Sequence, residues 1–263
     1  MTLPVQSSLT PFLRTLELRS RLTEDERRAI LALPFHPIHV AANQDFIRQG
    51  DVATHSCFVL EGFVGTFGQN KRGDRQITSV FVKGDMVDLM TVVVPECVWS
   101  AQALIETTIL QVPHSALRQA AADFPGIAEA FWRECVINSA LLNEWVMNVG
   151  RRDARSRLAH LFCEIACRSG YQPAGAPFTF PFPITQFQLA DMLGLTPVHV
   201  NRTLKGLRDD RVVDLAHRAV QILNWDRLAQ VGEFDATYLQ LRGGGSACQT
   251  PSAAEQTQMW VLQ

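Results

Sequence analysis

Hydrophobic and polar positions along this 263-residue chain change their period twice. From His39 to about Val112 the apolar residues fall in short β-rich runs: Phe58-Val-Leu60, Phe63–Phe67, Gln76–Val82, Trp99–Leu104 and Thr108–Val112. Gly50, Gly62, Gly73 and Gly84 punctuate this stretch at intervals of about 11–12 residues. Strands and turns at such regular spacing predict a small antiparallel barrel or roll, and a β-sandwich would give nearly the same spacing. Ahead of it, Thr23-Glu-Asp-Glu26 fits a capping box and predicts a helix to about Leu33.

The period then turns helical. Asp123-Phe-Pro125 predicts a helix start, with Asp123 as cap and Pro125 in the first turn, and nothing breaks the helix from Ile127 to about Val149. Along it Ala128, Phe131, Cys135, Asn138, Leu142, Trp145 and Val149 alternate three- and four-residue steps, as a two-stranded coiled-coil seam does. Dimerisation through this stripe is expected, with Asn138 fixing the register; a helix packed on its own domain would show a similar stripe. A boundary falls at Gly150-Arg-Arg-Asp153, followed by a helix over Ala154–Arg168 and a Gly/Pro-rich loop over Gly170–Pro183 that has room for a strand at Phe178–Phe180.

The densest signal is Thr185-Gln-Phe-Gln-Leu-Ala-Asp-Met-Leu-Gly-Leu-Thr-Pro-Val-His-Val-Asn-Arg-Thr-Leu-Lys205. Thr185 and Gln188 form a capping box, Gly194 permits a left-handed stop, Thr196 caps a second helix, and Pro197 takes its first position. Small Ala190, Gly194 and apolar Val200 sit where two crossing helices approach, and Leu189, Leu193, Leu195 and Leu204 supply the inner face. The expected structure is a helix-turn-helix whose second helix enters a DNA major groove. Arg202 is the candidate base reader, because a guanidinium donates twice to guanine O6 and N7. His199 and Asn201 share its leading edge, Val198 offers apolar contact, Thr185 and Thr196 suit phosphates, and Lys205 adds positive charge. Val212-Val213 pairing with Val220–Leu223 across His217-Arg218 makes the domain winged and puts Arg218 at the wing tip.

Charge supports this division. Residues 1–150 carry 12 Lys/Arg against 16 Asp/Glu, whereas residues 151–220 carry 10 against 6, so a polyanionic partner is expected for the second part only. With 47% hydrophobic and 19% charged residues both parts can bury cores. No apolar run is long enough to span a membrane and Met1–Thr10 lacks the features of a leader, so a cytoplasmic protein with no membrane partner is expected. The six cysteines form no C-x-x-C pair. Residues 58–112 contain no histidine, and no phosphate loop, dinucleotide fingerprint or Gly-x-Ser-x-Gly occurs, so an enzyme is not expected.

Gly50-Asp51, Val59-Leu-Glu-Gly62, Gly84-Asp85, Ser100-Ala101, the long helix and the winged unit Ile184–Asn224 together resemble the Crp/Fnr family of bacterial transcription regulators. The resemblance implies an α+β chain: an N-terminal cyclic-nucleotide-binding-type, jelly-roll-like β-roll (20–122), a central dimerisation helix (123–150) and a C-terminal winged helix-turn-helix (151–225). The polar composition past Gly243 predicts a disordered tail (243–263). The resemblance also implies a homodimer on an inverted-repeat operator in double-stranded DNA, with RNA polymerase as a further partner. In cAMP-binding members a Glu after Gly-Asp holds the ribose and an Arg before Ser-Ala pairs with the phosphate; here these positions are Leu89 and Trp99, so cAMP or cGMP is not expected. The iron–sulfur branch has an N-terminal cysteine cluster, whereas the first cysteine here is Cys57. Haem, through His36, His39, His55 or a cysteine, is a minor alternative, and no cofactor is expected. Phe81, Met86, Leu89, Met90 and Trp99 are expected to line an apolar effector pocket. The alternative function is a sensor of haem or an apolar ligand, or an interaction module, whose DNA binding is conditional or lost.

Overall fold

The computed structural model describes residues 8–171 and 177–241; the expected tail at 243–263 lies outside them. Two short helices, α1 (Thr10–Glu17) and α2 (Glu24–Leu31), open the chain. The capping box of α2 forms as expected: Thr23 Oγ1 accepts from the Glu26 amide at 3.3 Å, and Glu26 Oε2 accepts from the Thr23 amide at 2.7 Å.

Seven strands follow: β1 (His36–Val40), β2 (Asp45–Ile47), β3 (His55–Glu61), β4 (Val64–Gln69), β5 (Arg75–Phe81), β6 (Ser100–Ala103) and β7 (Thr107–Pro113). They pair antiparallel in two sheets, β1-β7-β3 and β2-β6-β4-β5. This is the expected roll, with β1 and β2 lying ahead of the runs read from the sequence. Gly62 shows why its turn requires glycine. Its φ is +106°, and a Cβ there would stand 2.8 Å from Thr107 Cα.

Helix α3 (His114–Asp123) leads into the long helix α4 (Pro125–Arg151). Asp123 does not cap α4. It ends α3, its carboxylate accepts from Gln119 at 2.8 Å, and Phe124 is the N-cap, with no side-chain cap bond. The inner face of α4 also differs from the expected stripe. Phe131 and Trp145 are 7% and 6% exposed and pack into their own protomer, whereas Trp132, Val136 and Val146 are 71%, 59% and 67% exposed. Asn138 is half-buried and lines a small internal cavity, so it does not lie on the outer face. The outward line is Trp132, Val136, Ser139, Asn143, Val146 and Gly150, all exposed and still spaced by threes and fours.

The C-terminal part contains α5 (Ala154–Arg168), β8 (Phe178–Pro181), α6 (Gln186–Leu193), α7 (Pro197–Asp209), β9 (Val213–Ala216), β10 (Ala219–Ile222) and α8 (Trp225–Gly232). Asp153 caps α5 by accepting from the Ser156 amide at 2.8 Å. Sheet order β8-β10-β9 makes the wing three-stranded. Helix α8 and a 3-10 turn, Ala236–Leu239, extend the unit past the end expected at residue 225.

Burial explains how the parts meet. One core lies inside the roll (Val40, Val59, Val64, Phe81, Ile109), and a second joins α1 to the roll and α4 (Phe12, Phe58, Leu110, Phe131). The largest core crosses the sequence boundary. It runs from Ile77 and Val80 on β5, through Ile137, Leu141 and Trp145 on α4, to Phe162, Leu189, Val200 and Val220.

Candidate nucleic-acid interface

Local chemistry sets the helix pair. Gln188 Oε1 accepts from the Thr185 amide at 2.8 Å, and Thr185 Oγ1 accepts in return from the Gln188 amide at 3.2 Å. Helix α6 stops at Gly194, at φ 62° and ψ 40°, a left-handed conformation that costs other residues roughly 1–2 kcal/mol. Thr196 Oγ1 then accepts from the His199 amide at 3.3 Å, and Pro197 opens α7. Leu189, Ala190, Leu193, Val200 and Leu204 are buried at the crossing, with Leu195 partly covered.

That packing turns the expected contact residues outward. Thr185, Thr196, Val198, Asn201, Arg202 and Lys205 are exposed, and His199 is half-buried. Val198, Asn201, Arg202 and Lys205 follow one another at helical spacing along one face of α7. Arg218 is exposed at the β9–β10 turn, where His217 and Arg218 take φ values of 52° and 61°.

The basic residues of the second half divide into two sets. Arg155 pairs with Asp210 at 2.5 Å, Arg208 with Asp214 at 2.6 Å, and Arg168 with Asp85 at 2.7 Å. Arg152 pairs with Glu144 at 2.6 Å, and Arg157 donates to the Leu193 carbonyl at 2.9 Å. The side chains of Arg151, Arg202, Lys205, Arg211 and Arg218 have no ion pair or hydrogen bond among the described residues. The positive charge available to an anion is therefore these five side chains, not the whole excess seen in the sequence, and Arg202, Lys205 and Arg218 are the ones on α7 and the wing turn.

Three features went unread in the sequence. Gln186 is exposed at the start of α6 and accepts from Asn201 Nδ2 at 2.7 Å. Phe187, beside it, is 75% exposed, and its signal was an aromatic at a position that the capping box turns outward. Gln188 does more than cap: its Nε2 donates to the Leu104 carbonyl at 2.6 Å and to Asn43 Oδ1 at 3.0 Å, fastening α6 to the roll. No local pattern announces that contact, because its partners lie 84 and 145 residues away in sequence.

Comparison with known proteins matches residues 156–231 to the Crp-like helix-turn-helix domain and residues 37–124 to the cyclic nucleotide-binding domain. The nitrogen fixation regulation protein FixK of Azorhizobium caulinodans is 27% identical over 179 residues, 68% of this chain and 71% of that one. The fumarate and nitrate reduction regulatory protein of Vibrio cholerae is 21% identical over 192 residues, 73% of this chain and 76% of that one. The chain belongs to the Crp/Fnr family of DNA-binding transcription regulators. The solved structure of FixK2 from Bradyrhizobium japonicum shares its fold, with a TM-score of 0.68 and 22% identity over 76% of this chain and 98% of that one. Relatives in this family are regulators, not enzymes.

In this Crp/Fnr regulator the residues expected to line an apolar effector pocket are divided between separate cores. Phe81 belongs to the core inside the roll, Met86 and Leu89 to the core beneath α1, and Met90 and Trp99 are half-buried. The residues are divided because the 3-10 turn Leu89–Val92 carries Leu89 inward against the packing of α1 and α4. The cavity that does adjoin Met86 and Leu89 is small, about 10 Å³, and is walled by Arg19, Asp85, Glu134 and Arg168. These charges are mutually engaged, Arg19 with Glu134 and Arg168 with Asp85, both at 2.7 Å. His36 and His39 are exposed, and His55 lies 2.6 Å from the Gln111 amide. Among the described residues no group of three or more His, Cys, Asp or Glu could hold a metal ion.

Proposed function

We propose that the chain regulates transcription in the cytoplasm as a homodimer on an inverted-repeat operator, through a sensor roll that does not take a cyclic nucleotide in the family manner. The observation that carries the DNA reading is the outward edge of α7, where Arg202 and Lys205 stand exposed and unpaired beside Asn201 and Val198. Arg202 donates to guanine O6 and N7, Lys205 and the wing-tip Arg218 meet phosphates, and Val198 contributes apolar contact.

Support for the dimer is the outer line of α4. Trp132, Val136 and Val146 leave an apolar seam on a 27-residue helix whose opposite side is already covered. A second copy of the same helix buries that seam about a two-fold axis, with Asn143 in the polar position that fixes register. The axis sets the two recognition helices about 34–36 Å apart, one turn of DNA.

Support for the changed sensor is the chemistry at two positions. A buried cyclic phosphate needs a cation and the ribose needs an acceptor, and Leu89 and Trp99 provide neither. Leu89 is 4% exposed and already packed, so these residues do not fit a cyclic nucleotide held that way.

Selection of duplexes from a random pool with full-length protein, with Arg202→Ala in parallel, tests the reading. The parent chain enriches an inverted repeat, and the variant loses one symmetric guanine pair. Failure of the parent chain to enrich any motif, even at low salt, would overturn operator recognition.

A further inference from the structure

We propose that Gln186 is a positioning residue for base recognition, holding the Asn201 carboxamide so that Asn201 reads an adenine. The inference rests on the operator-binding reading above and deepens it. Gln186 is the first residue of α6 and Asn201 the fifth of α7, and the bond between them spans the junction of the two helices at 2.7 Å. Both side chains are exposed, and a neutral amide bond in water adds little to stability. Its consequence is orientation.

A free asparagine at this point of α7 presents either edge of its carboxamide. The bond to Gln186 removes that choice: one N–H of Nδ2 is committed, and Oδ1 remains beside the second N–H. An acceptor next to a donor is the complement of adenine in the major groove, where N6–H donates and N7 accepts. Guanine presents two acceptors there and would set O6 against Oδ1. Arg202, the next residue, has only donors and complements guanine, so adjacent side chains on α7 read opposite patterns. Gln186 has a second attachment to offer. The first helix of such a pair crosses the DNA backbone, so Nε2 of Gln186 supplies a donor for a phosphate and ties the reader to the strand it reads.

The test is random-pool selection with the full-length parent chain, Asn201→Ala, Gln186→Ala and Gln186→Glu, with thermal midpoints recorded alongside. Glutamate at 186 can only accept, so it keeps Asn201 in the same orientation while repelling the phosphate. The parent chain enriches a symmetric pair of adenines. Asn201→Ala loses that preference, on the order of 5- to 100-fold relative to the other bases. Gln186→Ala relaxes the same position, leaves the Arg202 guanine in place and does not move the midpoint. Gln186→Glu keeps the adenine and binds every site more weakly. If Gln186→Ala weakens all sites uniformly with the adenine intact, if Asn201→Ala changes no position, or if Gln186→Glu relaxes the adenine as the alanine does, the proposal is overturned and operator binding stands. A parent chain that enriches no motif overturns operator binding itself, and this proposal with it.

Discussion

His217 and Arg218 occupy the two central positions of the wing hairpin, both with left-handed φ, at 52° and 61°. Turns of this kind favour Asn-Gly, since other side chains are strained there by about 1 kcal/mol or more each. Keeping an imidazole and a guanidinium at these positions sacrifices stability, and the Arg218 side chain is exposed with no ion pair among the described residues. The double change His217→Asn, Arg218→Gly is therefore expected to raise the thermal midpoint by roughly 2–4 °C while weakening DNA binding. It should also lower the slope of log affinity against log salt by about one for each phosphate that the wing no longer neutralises. Calorimetry and a salt titration check both halves; a variant that gains stability and binds DNA unchanged rules out the wing contact.

At the scale of elements, α4 has apolar side chains on two faces, one buried within the chain and one exposed. In the proposed homodimer Val146→Glu sets like charges across the two-fold seam and is expected to yield folded monomers in sedimentation equilibrium. Trp145→Ala, one position earlier, empties an inner site whose indole N–H donates to Glu164 at 3.1 Å, and should cost about 3–5 kcal/mol in a urea titration. The sequence could not distinguish these neighbours. The stripe mixes the two faces, with Phe131 and Trp145 buried, Cys135 and Asn138 half-buried and Leu142 exposed, and choosing between them requires knowing where the roll lies. Capping boxes were legible because Thr23 with Glu26, and Thr185 with Gln188, act within four residues. The small charged cavity was not legible, since Arg19 and Arg168 reach it from distant parts of the chain.

The 3-10 turn Leu89–Val92 allows a pH test at the same scale. Asp88 precedes it, 1% exposed, accepting from the Cys57 amide at 2.6 Å, and burial pushes its pKa from 3.8 up to about 7. The folded chain thus holds a proton that the unfolded chain releases near pH 4, so this group's contribution to stability falls as pH rises from about 4 to about 7 and is level above that. Asp88→Asn should be more stable than the parent chain at pH 8, with the advantage disappearing near pH 4. His160, lowered to about 4 by burial, acts with the opposite sign between about 4 and 6.5, so the difference between variant and parent is the quantity to measure.

For the whole molecule, the continuous core and a few buried polar groups join sensor to reader. Glu164 is fully buried and accepts from Trp145 on α4, Tyr238 near the end of the described chain and Arg168, which itself bonds Asp85 of the roll. Removing one partner of such a group is far costlier than the pair is favourable. Gln188→Glu separates docking from local helix formation, because glutamate still completes the capping box but cannot donate to Leu104 or Asn43. Leaving the Leu104 carbonyl unpaired costs about 1–3 kcal/mol. Faster amide exchange in β5 and α6 at unchanged helix content is expected, and unaltered exchange there would refute the docking role.

The same glutamine limits how freely the two halves can be recombined. Its amide serves both its own helix and a carbonyl of the roll, and β5 answers through Gln76, which donates to the Met192 carbonyl at 3.1 Å. A hybrid carrying a relative's DNA-reading half on this roll keeps the docking only if that half presents a donor opposite Leu104 and a surface that fits Ile77 and Val80. Roll and helix-turn-helix unit are consequently matched parts, and an exchange of specificity should be made along the outward edge of α7, where among the described residues Val198, Asn201, Arg202 and Lys205 make no hydrogen bond or ion pair to the roll.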